Sequence, residues 1–229
     1  MPSFTRYLAR SVSLAAVAAV GLACDPSPGS DGEGQAVRNP LLRPQRFTET
    51  APSEYRVTLE TSEGDVVIEV HRAWAPIGAD RFYNLAKGEF YDDTRVYRVV
   101  DGFMAQLGLN GDPYVNQAWK SEFLVDDPVV ASNTRGRVAF AKGRVHSRTT
   151  EIFISVKDNS TLDDQGFAPF GEVIEGMDAV DAFYAGYGDG PPRGEGPYQA
   201  MVAARGNAYL DEEFPELSRI LGVSVDPGS

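Results

Sequence analysis

Residues 96–108 read VYRVVDGFMAQLG and combine a cation, an aromatic ring, a thioether and an amide within one short stretch. Successive side chains of a strand point to opposite faces, so the arginine, the methionine and the glutamine share one face. Phe103 has the other parity and needs a bend to join them. Gly102 permits this bend because glycine tolerates backbone conformations that other residues avoid. The stretch therefore predicts one concave surface that carries Arg98, Phe103, Met104 and Gln106.

The segments on either side of this stretch alternate between strand and helix patterns. YRVTLE and VVIEV flank the turn residues TSEGD, which indicates a β-hairpin. Pro76 and Gly88 bound a predicted helix over roughly 77–87, and MDAVDAFYAG indicates a second helix. Further strand patterns occupy residues 135–142, 151–156 and 170–174. Many short strands with two helices favour a mainly β barrel or sandwich that helices cap.

The first 23 residues have the pattern of a secretory signal peptide. Arg6 and Arg10 precede the apolar run SVSLAAVAAVGLA, and no acidic residue interrupts it. This run is shorter than the roughly 20 residues that a membrane-spanning helix needs. Cys24, the only cysteine, follows directly, and VGLAC resembles a bacterial lipobox. We therefore expect lipidation at Cys24. The alternative is simple cleavage of the leader after Ala23, without a lipid.

Residues 24–50 are predicted to form a disordered tether, because their first part is rich in Pro, Gly, Ser and Asp. We expect the folded domain over 51–229, including a C-terminal extension. With 33 acidic and 21 basic residues the chain has a net charge of −12, which argues against a nucleic-acid partner. The leader predicts export to the bacterial periplasm or cell envelope, with membrane contact only through a lipid on Cys24.

The usual motifs of nucleophilic and metal catalysis do not occur in the sequence. His71 and His146 lie in separate segments without a Gly-x-Ser-x-Gly or His-Glu-x-x-His pattern. A single cysteine at the leader boundary does not suit a thiolate nucleophile or a zinc site. Adjacent acids such as Asp92 and Asp93 are typical of solvated turns. We therefore expect neither a metal nor a cofactor.

The 96–108 stretch resembles the signature of the cyclophilins, a family of peptidyl-prolyl cis-trans isomerases, whose usual form is Phe-His-Arg-Ile-Ile-Pro-Gly-Phe-Met-x-Gln-Gly-Gly. The likeness continues through VAFAKGRVHSRTTEIFISV and STLDDQGFAPFGEVIEGMDAVD, so that it covers about residues 54–185. It implies a mainly β fold, a closed eight-stranded antiparallel β-barrel capped by two α-helices. It also implies isomerase activity on X-Pro amides.

The resemblance implies a set of site residues. The catalytic residues are Arg98, Phe103 and Gln106, and the substrate-binding residues are Met104, Ala141, Lys142, Glu151, Phe153, Leu162 and Phe167. The arginine is expected to donate a hydrogen bond to the proline nitrogen of a twisted amide, and the apolar residues to hold the proline ring. Gln106 is expected to hold a substrate carbonyl, and the backbone of Lys142 to pair with the peptide.

Several positions depart from the usual pattern of the family. Glu151 replaces a glutamine, Lys142 an asparagine and Asp101 a proline. Thr161 stands where a tryptophan is common, and Phe167 falls near a usual histidine. We expect these departures to change peptide preference, and the loss of the tryptophan to weaken binding of the cyclic peptide cyclosporin.

The sequence thus supports two functional hypotheses that use the same groove. The first is a monomeric peptidyl-prolyl isomerase that assists the folding of exported proteins and binds proline-containing peptides and unfolded exported chains. The second is a non-catalytic module that binds proline peptides as a chaperone or scaffold. Arg98 favours the enzyme, because a protein that only binds has less need of a cation at the edge of the pocket.

Overall fold

The computed structural model describes residues 39–228. Its strands are β1 Glu54–Thr61, β2 Val66–His71, β3 Thr94–Arg95, β4 Arg98–Val100, β5 Met104–Leu107, β6 Arg137–Phe140, β7 Ile152–Ser155, β8 Pro169–Glu175 and β9 Arg219–Asp226. Its α-helices are α1 Pro76–Lys87, α2 Pro113–Trp119, α3 Met177–Ala182, α4 Gln199–Arg205 and α5 Asn207–Glu213. Short 3-10 helices occupy Pro40–Leu42, Pro44–Arg46 and Ser160–Leu162.

The strands form one curled antiparallel sheet of nine strands in the order β3-β9-β1-β2-β8-β6-β7-β5-β4. The mainly β class is confirmed, but the predicted closed barrel of eight strands is wrong. Within residues 39–228 the hydrogen-bond ladder stays open between β3 and β4, which are its two ends. Only Val96 and Tyr97 separate these strands along the chain, and there Val96 donates its N–H to Ser218 instead of to a strand partner.

The ninth strand comes from the C-terminal extension. β9 pairs with β1 along most of its length and also with the two residues of β3. The sequence predicts only a short strand or helix that packs back on the domain there. Pairing of β9 covers an edge of β1 that would otherwise carry unpaired backbone groups.

The main core lies between the concave face of the sheet and α1. Alternate residues of β1 and β2 are buried, which is the period-two pattern of a sheet with one covered face. From α1, Phe82 packs on Phe170 of β8 with a ring-centroid distance of 4.9 Å. Full burial of a side chain of this size contributes roughly 1.5–3 kcal/mol. The core therefore fixes the strands from which the candidate site is built.

The described residues form more helices than the two predicted caps. The first prediction agrees with α1, which begins at Pro76 and is followed by Gly88, and the second with α3. The helices α2 and α4 were not predicted, because seven residues are too few for a clear helical periodicity. The short strand or helix predicted after Gly206 is both, because α5 and β9 follow one another there. Gly206 joins α4 to α5 at φ 58°, where a Cβ atom would lie 1.9 Å from the carbonyl oxygen of Gly111. Of the helices described, none is long and apolar enough to cross a membrane.

The last part of the predicted tether, residues 39–50, packs on the domain. Leu41 is buried, and its carbonyl accepts a hydrogen bond of 2.8 Å from the indole N–H of Trp119. Phe47 meets the same indole edge-on, with a ring-centroid distance of 5.4 Å. The side chain of Asn84 bonds both the N–H and the C=O of Glu49. The tether prediction is therefore wrong for residues 39–50, while the signal peptide, Cys24 and residues 24–38 lie outside the described residues.

Candidate active site

A β-hairpin presents the residues of the 96–108 stretch. β4 pairs with β5 so that Arg98 stands opposite Gln106 and Val100 opposite Met104. Gly102 has φ 59° in the connecting turn, where a residue with a side chain would be strained. Cross-strand partners project to the same face of a sheet. The hairpin therefore places the guanidinium beside the glutamine amide, on the face predicted from the alternation.

The predicted catalytic and substrate-binding residues line a single cleft of about 310 Å³. They lie on β4, β5 and the turn between them, on β7, on the segment after β6, and on the 3-10 helix Ser160–Leu162 with the turn that follows it. The set comprises Arg98, Phe103, Met104, Gln106, Ala141, Lys142, Glu151, Phe153, Leu162 and Phe167. The structure thus brings these residues together; their individual roles stay predictions.

The apolar wall of the cleft is a cluster of side chains that is separate from the main core. Its buried members are Met104, Ala139, Phe153 and Leu162, and Val100, Phe103, Ala141 and Phe167 pack against them. The rings of Phe153 and Phe167 meet edge-to-face with a centroid distance of 5.7 Å. Phe103 is fixed through its carbonyl, which accepts bonds from the N–H of Val156 and the amide of Asn159. These residues form the apolar wall of the cleft.

Arg98 is held at the edge of this wall by two side chains. Its Nε and Nη2 donate to the two carboxylate oxygens of Asp189 at 2.8 and 3.1 Å. Its Nη1 donates to Gln106 Oε1 at 2.8 Å and lies 3.9 Å from the sulfur of Met104. A guanidinium has five N–H donors. These three bonds leave one N–H on Nη1, which faces the Met104 sulfur, and one on Nη2 with no acceptor among residues 39–228. The side chain is 21% exposed, which makes it accessible from the cleft.

Gln106 is itself oriented by Glu151. The amide nitrogen of Gln106 donates to Glu151 Oε2 at 2.8 Å and to the hydroxyl of Tyr97 at 2.6 Å. The same carboxylate accepts bonds from the amide of Gln199 and from Tyr97. Glu151 lines the cleft as predicted, yet its carboxylate is directed to protein groups. Burial raises the pKa of Glu151, and burial together with Glu151 raises that of Tyr97.

Lys142 supports the rim of the cleft through its side chain. Its Nζ donates to Asp126 Oδ2 at 2.8 Å and to the carbonyl of Gly166 at 2.7 Å. It also lies 5.3 Å from the centroid of the Phe167 ring. The side chain is 7% exposed, so it anchors the turn that carries Phe167. The pairing of the Lys142 backbone with a bound peptide stays a prediction.

Sequence reasoning missed part of the cleft. The cleft is also lined by Ser147, Thr149, Arg193 and Gln199. Asp189 accepts a hydrogen bond from the Arg98 guanidinium. In sequence, Asp189 and Arg193 belong to a segment rich in glycine and proline that lacks the spacing of a phosphate-binding fingerprint. Asp189 is 91 positions from Arg98, so no local pattern connects the two.

The chemistry of this cleft is that of a fixed cation beside an apolar pocket. In the part of the chain that the structure describes, no group of three His, Cys, Asp or Glu side chains could hold a metal ion. The charged N–H groups and the apolar wall suit a substrate that is apolar at its centre and polar along its backbone. Such a site can change the electrostatic environment of a bound amide.

Comparisons with known proteins agree with this geometry. The family model described as cyclophilin type peptidyl-prolyl cis-trans isomerase/CLD matches residues 56–202. A peptidyl-prolyl cis-trans isomerase of Acinetobacter baylyi is 36% identical over 130 residues, which cover 55% of this chain and 69% of that protein. Peptidyl-prolyl cis-trans isomerase B of Escherichia coli is 35% identical over 133 residues, covering 55% of this chain and 81% of the relative.

Solved structures show the same fold at low sequence identity. A cyclophilin-type peptidyl-prolyl cis-trans isomerase of Cryptosporidium parvum matches with a TM-score of 0.56 and 16% identity, covering 77% of this chain and 99% of its own. A crystal structure of the same protein in the presence of the dipeptide Ala-Pro matches with a TM-score of 0.53 and 17% identity, over 74% of this chain and 98% of its own. From the family match, its relatives and the shared fold, the chain belongs to the cyclophilin-type peptidyl-prolyl cis-trans isomerases.

Proposed function

We propose that this protein rotates X-Pro amide bonds in exported proteins and so assists their folding. The observation that carries the proposal is the position of Arg98 beside an apolar cleft of about 310 Å³, where Nη1 and Nη2 each keep one N–H that no oxygen of the described residues accepts. Family membership supports the reaction type.

The reaction breaks no covalent bond. Rotation about the amide loses the partial double bond between carbon and nitrogen, at a barrier of about 18–20 kcal/mol. Uncatalysed exchange of X-Pro bonds therefore takes tens to hundreds of seconds. A catalyst must bind the twisted amide more tightly than the planar amide, because only this difference accelerates the reaction.

Arg98 provides such a difference. As the amide twists, the proline nitrogen becomes pyramidal and regains a lone pair that can accept a hydrogen bond. The guanidinium stays charged and its donors are preorganised by Gln106 and Asp189. In the planar amide this lone pair is delocalised, so the hydrogen bond is strongest in the twisted state.

The apolar wall holds the proline ring. Phe103, Met104, Phe153 and Leu162 form the side of the cleft where a five-membered ring finds carbon atoms on several sides. Exclusion of water from this wall removes hydration that favours the polar, planar amide. Proline-containing peptides are therefore the substrate class that the cleft fits.

Export rests on the leader sequence. The signal-peptide pattern of residues 1–23 supports a location outside the cytoplasm, where a lipid on Cys24 would keep the protein at a membrane of the cell envelope. Fractionation of the host cell and mass spectrometry of the mature N-terminus test this part. An intact leader on a cytoplasmic protein would contradict it, and an unmodified Cys24 would remove the anchor.

Isomerisation of one proline tetrapeptide, followed by NMR exchange, tests the activity. We expect Arg98→Ala to lower kcat/KM by about 10²- to 10³-fold, the usual cost of one preorganised donor. Arg98→Lys should restore little, because an ammonium lacks the planar fork of donors. Circular dichroism is the control that checks whether each variant is folded. Equal rates for wild type and Arg98→Ala, with unchanged peptide affinity, would favour the non-catalytic peptide-binding module instead.

A further inference from the structure

The segment 186–197, here called the 186–197 loop, folds around the side chain of Asp189. One carboxylate oxygen accepts a bond from the N–H of Gly190, and the other lies 2.9 Å from Nε of Arg193. The backbone carbonyl of Asp189 accepts the N–H of Gly196, which closes the loop. Both carboxylate oxygens also face Arg98, and the Asp189 side chain is 18% exposed.

We propose that Asp189 is a positioning residue for the isomerase reaction, which holds the Arg98 guanidinium in the plane that catalysis requires. The inference rests on the proposed function. It gives the 186–197 loop a role in the reaction, although this loop lies outside the 96–108 stretch that carries the family signature. Asp189 itself need not touch the substrate, because it acts through Arg98.

The geometry of the contact supports this role. Gln106 alone holds the guanidinium at one nitrogen, which leaves it free to turn about that hydrogen bond. The two bonds from Asp189 engage Nε and Nη2, and a bidentate carboxylate fixes both the position and the plane of a guanidinium. The two remaining N–H groups belong to Nη1 and Nη2 and then have a defined direction. The contact with Asp189 thus orients these two N–H groups and leaves them available to a substrate.

The carboxylate of Asp189 is ionised at neutral pH. The hydrogen bonds from Arg98 lower the pKa of Asp189, with a smaller contribution from Arg193. On the opposite side, Glu151 orients Gln106, so the guanidinium lies between two oriented acceptors, Gln106 and Asp189. Without these acceptors the long Arg98 side chain, which is 21% exposed, would sample several rotamers.

Steady-state kinetics of a proline tetrapeptide test the proposal. We expect Asp189→Ala to lower kcat by about 10- to 100-fold with KM within about twofold, because misplacement of a group by 1 Å costs about 10²-fold in rate. Asp189→Asn keeps the shape and one acceptor oxygen, so its loss should be intermediate. Asp181→Ala is the matched control, because Asp181 forms a similar bidentate pair with Arg135 away from the cleft. Its kinetics should equal those of the wild type.

A double-mutant cycle separates positioning from a structural effect. If Asp189 acts through Arg98, the variant carrying both Arg98→Ala and Asp189→Ala should be no slower than Arg98→Ala alone. Losses that add would overturn the proposal, as would an Asp189→Ala enzyme that is as fast as, or faster than, the wild type. A faster enzyme would mean that the 186–197 loop restrains Arg98 unproductively. If Asp189→Ala does not fold, the cycle is run with Asp189→Asn.

The proposal and the proposed function fail in different ways. A wild-type protein that does not accelerate exchange of any proline peptide contradicts the proposed function. A wild-type protein that is active, with kcat unchanged in both Asp189 variants, contradicts only the positioning role.

Discussion

Glu151 accepts a hydrogen bond from the amide nitrogen of Gln106, and the amide oxygen of the same glutamine accepts one from Arg98. A carboxylate can only accept, so it selects the orientation of the amide that turns its oxygen toward the guanidinium. The usual glutamine of the family offers both a donor and an acceptor at this position. Glu151 thus makes the orientation of Gln106, and through it that of Arg98, depend on a proton.

This dependence predicts an acid limb in the activity profile. Burial raises the pKa of Glu151, so the carboxylate is protonated at a higher pH than an exposed glutamate. As the pH falls through this raised pKa, the acid becomes a donor and no longer selects the Gln106 orientation, so kcat/KM should fall. The Asp189 pKa is lowered, so this second acid stays ionised over the same range.

The variant Glu151→Gln isolates the effect. It has no titrating group and, like the protonated acid, offers both a donor and an acceptor, so its kcat/KM should lack the acid limb and stay near the value of the wild type at low pH. Measurement of kcat/KM from about pH 4.5 to pH 8 for both proteins provides the comparison. The same acid limb in wild type and variant would assign the titration to another group.

Phe153→Ala should damage both binding and turnover. Phe153 is 4% exposed as a residue, and its ring forms the wall of the cleft together with Phe167. Its removal opens the pocket to water in the ground and transition states alike, so KM should rise and kcat should fall. We also expect a loss of about 3 kcal/mol in the free energy of unfolding, as is typical for a buried phenylalanine.

Val138→Ala is the control for this loss of stability. Val138 lies on β6 but belongs to the main core, so it should lower the free energy of unfolding with KM unchanged. Urea unfolding and steady-state kinetics on both variants check the separation. A normal KM in Phe153→Ala would remove Phe153 from the substrate wall.

Phe47→Ala should destabilise the domain although it lies in the predicted tether. The ring packs on Trp119 and against Gly88, where a Cβ atom would come within 2.4 Å of it. We expect a loss of about 1–3 kcal/mol in the free energy of unfolding, the usual range for a single core-facing substitution. Urea denaturation measures it, and the exposed neighbour Thr48, changed to Ala, is the control. Equal midpoints for Phe47→Ala and wild type would show that the Phe47 ring contributes nothing to stability.

Thr161→Trp should strengthen inhibition by cyclosporin. Thr161 is exposed on the 3-10 helix beside Leu162, which lines the cleft, so the wild type lacks the aromatic surface that the family usually offers here. A tryptophan adds apolar area and an N–H donor, for which we expect at least about tenfold tighter inhibition. The control is Tyr114→Trp on the exposed side of α2, which should leave inhibition unchanged. Strong inhibition of the wild type would show that another residue supplies this surface.

The amino-acid sequence by itself determined the local parts of the site. The alternation along 96–108 placed Arg98, Met104 and Gln106 on one face, because the side-chain period of a strand is two regardless of its neighbours. Pro76 and Gly88 marked the ends of α1, because their backbone preferences act within one residue. The resemblance to the family signature then identified the residues of the apolar wall, which the structure brings together in a single cleft.

Only the tertiary structure decided the remaining contacts. The pairing of β9 with β1, the packing of Leu41 on Trp119 and the ion pair of Asp189 with Arg98 join residues that are far apart in sequence. No periodicity or turn preference records such contacts, because their free energy comes from burial and charge pairing that exist only after the chain has closed. The arginine could therefore be found from its neighbours in the sequence, whereas the carboxylate that orients it could be found only from the fold.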